Sequence, residues 1–133
     1  MPPGARLATA IAFFKRREVV RYLLEAGADV GVASRQGGFT PLHSAVATDA
    51  AAVDIEIVRM LLDKGADPNA KAQSGSTSLH TVGFTGDRAS LDLLLQHGAD
   101  RSIKNNDGKT AADIAGERGH GEIAERLAKG SDR

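Results

Sequence analysis

Four histidines, His43, His80, His97 and His120, have the widest chemical repertoire of any residues in this chain. An imidazole can ligate a metal or move a proton near neutral pH. Either task needs partners: further ligands, or a nucleophile on one side and an orienting acid on the other. The sequence does not arrange them. His43 and His80 stand 37 residues apart, and neither His97 nor His120 has a second ligand close by. There is no Cys, which removes thiol nucleophiles, disulfides and Cys-ligated zinc. The glycine-rich stretches Gly37-Gly38, Gly83–Gly86 and Gly116–Gly121 lack the Gly-Lys-Ser/Thr of a phosphate loop. No catalytic residue, metal or cofactor is expected.

The surroundings of His43 and His80 are more informative than the imidazoles. They close the segments Thr40-Pro41-Leu42-His43 and Thr77-Ser78-Leu79-His80, and Thr110-Ala111-Ala112-Asp113 follows the same outline. Each Thr is placed to cap a helix, and Pro41 suits a first helical turn, where its missing N–H was unpaired anyway. A second signal recurs as Gly27-Ala28-Asp29, Gly65-Ala66-Asp67 and Gly98-Ala99-Asp100. Before Gly65, the apolar Ile57, Val58, Leu61 and Leu62 share one helical face. Gly65 then stops that helix, since the left-handed conformation common at helix ends costs glycine least. The starts are spaced by 37 and 33 residues and the stops by 38 and 33.

A period near 33 carrying Thr-Pro-Leu-His resembles the ankyrin repeat. The resemblance covers almost the whole chain and implies an all-α solenoid of stacked antiparallel helix pairs with hairpin-like projecting loops. It divides a single domain, 1–133, into repeats at about 5–33, 35–67, 72–100 and 105–130. Arg6 and Leu7 stand where the family has Thr and Pro, so the first repeat is expected to be an N-terminal cap. The last carries Glu117, Arg118, Glu125, Arg126 and Lys129 at outer positions and reads as a polar C-terminal cap. Thr40, Pro41, Leu42, His43, Thr77, Leu79, His80, Thr110, Gly27, Gly65 and Gly98 are then structural motif residues. The family uses this histidine for hydrogen bonds within and between repeats. Neighbouring repeats lie about 10 Å apart, too far for His43 and His80 to share a metal.

Two departures from the period stand out. Ser90 occupies a position held elsewhere by Val19, Ile57 and Ile123, which should weaken packing there. Four extra residues fall within Ala50–Ile55. Because Ala50-Ala51-Ala52 is a good helix former, they are expected to extend the preceding helix by a turn.

Charge and length narrow the function. The 17 basic and 17 acidic residues balance, and the basic run Lys15-Arg16-Arg17 with Arg21 is too small for a nucleic-acid footprint. No stretch approaches the roughly 20 apolar residues of a membrane span, and no secretory signal opens the chain. The expectation is a soluble, cytoplasmic monomer that binds neither nucleic acid nor membrane.

The aromatic residues point instead to a partner protein. There is no Trp, and Phe13, Phe39 and Phe84 fall on positions that the family leaves variable along its groove. Aliphatic residues already fill the core pattern, so these rings are candidate interface anchors. The loop tips would supply a polar rim: Arg35, Gln36, Gln73, Ser74, Ser76, Asn106, Asp107 and Lys109. The implied activity is a protein–protein interaction module using the concave groove and loop tips. The alternative is a structural or scaffolding subunit, or an ankyrin fragment of a larger protein, in which the Phe residues would be packed.

Overall fold

The computed structural model describes residues 17–129. Arg6, Leu7, Phe13, Lys15 and Arg16 lie outside them. The described elements are helical throughout: α1 (Arg17–Glu25), α2 (Pro41–Val46), a 3-10 turn (Ala50–Ala52), α3 (Ile55–Asp63), α4 (Ser78–Thr85), α5 (Arg88–Gln96), α6 (Ala111–Glu117) and α7 (Gly121–Ala128). Helices α2 and α3, α4 and α5, and α6 and α7 pair in sequence order. The first helices α2, α4 and α6 stack on one another, as do α1, α3 and α5 behind them.

The Gly-Ala-Asp signal resolves into three separate tasks. Gly27, Gly65 and Gly98 adopt φ of 92°, 92° and 88°. That turn brings the next amide back onto the helix: Ala28 N–H donates to the Leu23 carbonyl (2.9 Å), Ala66 to Leu61 (3.0 Å) and Ala99 to Leu94 (3.0 Å). This is the six-to-one closure that satisfies carbonyls left open at a helix end. The Ala28 and Ala66 methyls are buried there. Asp29, Asp67 and Asp100 then accept from the amides of Gly31, Asn69 and Ser102, each at 2.8 Å, turning the chain into the next loop.

One aliphatic core runs through the stack, including Val20, Leu42, Val46, Ile57, Val58, Leu61, Leu79, Val82, Leu91 and Leu94. No aromatic ring enters it among the described residues. Gly83 lets α4 and α6 approach closely, since a Cβ there would sit 2.7 Å from the Ala111 carbonyl oxygen. Ser90 is fully buried and its Oγ has no hydrogen-bond partner, nor has Asp87 Oδ2 nearby in the same first turn of α5. A buried hydroxyl without a partner carries its full desolvation cost.

The insertion differs from the sequence expectation. Helix α2 ends at Val46, Ala50–Ala52 form an isolated 3-10 turn, and Val53 and Asp54 are extended. Three alanines raise helix propensity by a few tenths of a kcal/mol each, too little to nucleate a turn without an apolar face to bury. Asp54 decides the outcome. It caps α3 in a non-helical conformation (φ −89°, ψ 102°), its carboxylate accepting from the Glu56 amide at 3.0 Å. Arg17 Nε on α1 grips the same carboxylate at 2.8 and 3.0 Å. Partial burial pushes the Asp54 carboxyl up, but the bonds from Arg17 and Glu56 outweigh it and leave it below the usual carboxylate range.

Candidate functional site

Each Thr-x-x-His start is a reciprocal cap. The Thr40 amide donates to His43 Nδ1 at 3.0 Å, and the Thr77 amide to His80 Nδ1 at 3.0 Å. With Nδ1 accepting, Nε2 carries the proton. It is directed at the neighbouring repeat: His43 Nε2 reaches the Ser76 carbonyl at 3.2 Å and His80 Nε2 the Lys109 carbonyl at 2.9 Å. Both imidazoles are buried. Burial pushes the His43 pKa down, partly offset by its bonds to the Ser76 and Ala70 carbonyls. In the last start, Asp113 closes the cap with Thr110 (3.0 and 3.2 Å). Its shorter side chain makes no further hydrogen bond among the described residues, and the bridging ladder ends there.

The loops are tied to each other through backbone. Gln73 N–H donates to the Gly37 carbonyl (2.8 Å) and Asn106 N–H to the Ser74 carbonyl (2.9 Å). Asn106 adds its side-chain amide to the Gln73 carbonyl at 2.8 Å. At the opposite end of the repeat, Asn69 makes a comparable tie that sequence reading missed. Its side chain donates to the Gly98 carbonyl (3.2 Å) and accepts from the Asp100 amide (2.7 Å). The period alone could have flagged it, because Asn69 follows Asp67 by two residues, where Gly31 and Ser102 follow theirs.

These ties sort the expected rim residues. The Asn106 amide is engaged inside the stack, and Lys109 pairs with Glu117 at 2.8 Å, which pushes its pKa up. The Ser76 carbonyl serves His43, and Ser74 Oγ accepts from the Ser76 amide at 3.4 Å. Arg35, Gln36, Gln73 and Asp107 remain exposed at the tips.

Phe39 and Phe84 are 47% and 51% exposed. Phe39 stands edge-on to His43 (ring centroids 5.9 Å apart, 71° between planes) and leans over Gly37. Phe84, near the end of α4, lies under the Arg118 guanidinium, 4.2 Å from its ring centre. Phe84 lines an open groove of about 530 Å³ together with Ala47, Thr48, Asp49, Thr81, Thr85, Arg118 and His120, whereas Phe39 stands outside it at the foot of its loop.

His120 holds one end of this groove. Its Nε2 donates to the Phe84 carbonyl at 3.0 Å, and its ring packs on Gly86, whose φ is 79°. A Cβ on Gly86 would stand 2.8 Å from that ring. His97 is remote, 4.0 Å from Asp63 on the outer helices. Among the described residues no group of three or more His, Asp or Glu is arranged to hold a metal, and no helix is long and apolar enough to cross a membrane.

The sequence profile of ankyrin repeats in three copies matches residues 6–72 and again 50–132. The chain belongs to the ankyrin repeat family. It is similar to the E3 ubiquitin-protein ligase KEG of Arabidopsis thaliana (35% identical over 119 residues, 86% of this chain and 7% of the relative). It is also similar to the ankyrin repeat-containing protein P1E11.10 of Schizosaccharomyces pombe (32%, 74% of this chain and 44% of the relative). A third relative is the B-cell lymphoma 3 protein homolog of Mus musculus (36%, 67% of this chain and 19% of the relative). The chain thus spans less than half the length of each of these relatives. Ankyrin repeats are generally protein–protein interaction modules and generally non-catalytic.

Proposed function

We propose that this chain binds a partner protein on the face built by its loops and first helices, with Phe84 and Phe39 as two separate anchors. The exposed Phe84 ring in an open groove carries the reading. An aliphatic core complete without aromatics leaves this ring half in water, where covering it gains apolar burial. Arg35, Gln36, Gln73 and Asp107 surround such an interface as a polar rim. The cap, bridge and loop-to-loop bonds hold the surface in place before a partner arrives, which lowers the ordering cost of association. A specific partner would cover about 800 Å² of this side.

A photo-crosslinking amino acid placed at Gln73 and, separately, at Arg59 on the outer helix α3 tests the reading. Crosslinking of one partner protein from source-cell lysate through Gln73 but not Arg59 is the expected result. Capture through Arg59 alone, or equally through both, contradicts it.

A further inference from the structure

The segment between α2 and the inserted 3-10 turn lines the Phe84 groove. Ala47, Thr48 and Asp49 line it together with Phe84 and Arg118. These residues come from three successive helix pairs. Asp49 precedes the 3-10 turn without using its carboxylate to cap it, and it has no ion-pair partner among the described residues. The Arg118 guanidinium likewise pairs with no carboxylate among the described residues and lies against the Phe84 ring. Exposed charges of opposite sign therefore lie in the helix pairs before and after that of the exposed Phe84 ring, and they form no ion pair with each other.

We infer that this groove takes a peptide segment of a partner protein in which a large apolar side chain sits between a basic and an acidic residue. The apolar group covers Phe84, the cation meets Asp49 and the carboxylate meets Arg118. A guanidinium stacked on a ring keeps its edge free for a two-pronged carboxylate contact. With repeats about 10 Å apart and an extended chain advancing about 3.3 Å per residue, each charge falls about three residues from the apolar centre. The assignment rests on the binding function proposed above and adds the chemistry of its ligand.

Two fluorescein-labelled synthetic peptides test it, one with Lys-x-x-Leu-x-x-Glu and one with Glu-x-x-Leu-x-x-Lys, the spacers being Ala and Ser. Their affinities are measured for the wild type, for Arg118→Glu and for the charge-swapped Asp49→Arg/Arg118→Glu, with circular dichroism to verify folding. The wild type is expected to prefer one order by about tenfold, the swapped variant to prefer the other, and Arg118→Glu to lose the preference. The same preference in all three proteins overturns the assignment, as does none in the wild type or no binding of either peptide at millimolar concentration. A partner crosslinked through Gln73 alongside such a negative result leaves the binding role standing and removes only this ligand chemistry.

Discussion

His80 Nε2 lies 2.9 Å from the Lys109 carbonyl oxygen, a bond that crosses from one repeat to the next while the other nitrogen of the same ring caps its own helix. One buried side chain thus joins local and long-range order. His43 makes the same pair of contacts, with Ser76 as its distant partner.

Replacing His80 should separate those roles. His80→Ala removes both bonds and leaves buried backbone groups unpaired, an expected loss of about 2–4 kcal/mol. His80→Asn, a neutral side chain whose oxygen can accept from the Thr77 amide as Asp113 does from Thr110, restores the cap without the bridge and should recover about 1 kcal/mol of that loss. Urea unfolding of the two variants checks the order. Equal losses would mean that the cap contributes nothing.

The His43 pKa is depressed by burial, so the unfolded chain takes up a proton before the folded one does. Its contribution to stability is complete above the ordinary value of 6.5 and is lost as pH falls from there through the folded value. The melting temperature should therefore decline between pH 7.5 and 5.5, before the carboxylates Asp54, Asp100 and Asp113 begin to matter below 3.8. A His43→Gln variant, though less stable, should show a flatter slope in that window. An unchanged slope would assign the effect to another group.

Ser90 buries a hydroxyl with no partner among the described residues at a position filled elsewhere in the stack by valine or isoleucine. Ser90→Ala removes that group and improves helix propensity, and should stabilise the protein by about 1 kcal/mol. A rise of a few degrees in melting temperature is expected. A fall would mean that the hydroxyl is satisfied in solution.

Gly86 and His120 should prove energetically coupled. Gly86→Ala places a Cβ in the left-handed region and against the imidazole, costing about 1–3 kcal/mol. In the double variant with His120→Ala, the steric part disappears and only the backbone part remains. A double-mutant cycle should give a coupling of at least about 0.5 kcal/mol, whereas strict additivity would show that the ring moves aside freely.

The fold was legible because each boundary carries a residue whose conformation or hydrogen bonding few others can match. Gly65 in the left-handed region and the Thr77–His80 cap are such signals, and they recur in phase. The insertion was not legible in the same way. Alanine propensity pointed to a longer α2, but the decision lay with Asp54, held by Arg17 on a helix 37 residues earlier. The groove was half visible. Phe84 was marked by its place in the repeat, whereas Arg118 and His120 reach it from the next helix pair, a proximity that no local pattern encodes. Asn106 shows a second limit: its place at a loop tip was legible, but the bond by which its amide ties two loops together was not.

The central claim is that Phe39 and Phe84 bind rather than pack. The most direct test compares capture of a partner from source-cell lysate by the wild type and by Phe39→Ser/Phe84→Ser, with thermal unfolding of both proteins. The account predicts that the wild type retains a protein that an equally stable variant loses, each ring contributing about 2 kcal/mol to binding. Retention of the same partner by the variant, or a variant that melts well below the wild type, would contradict it.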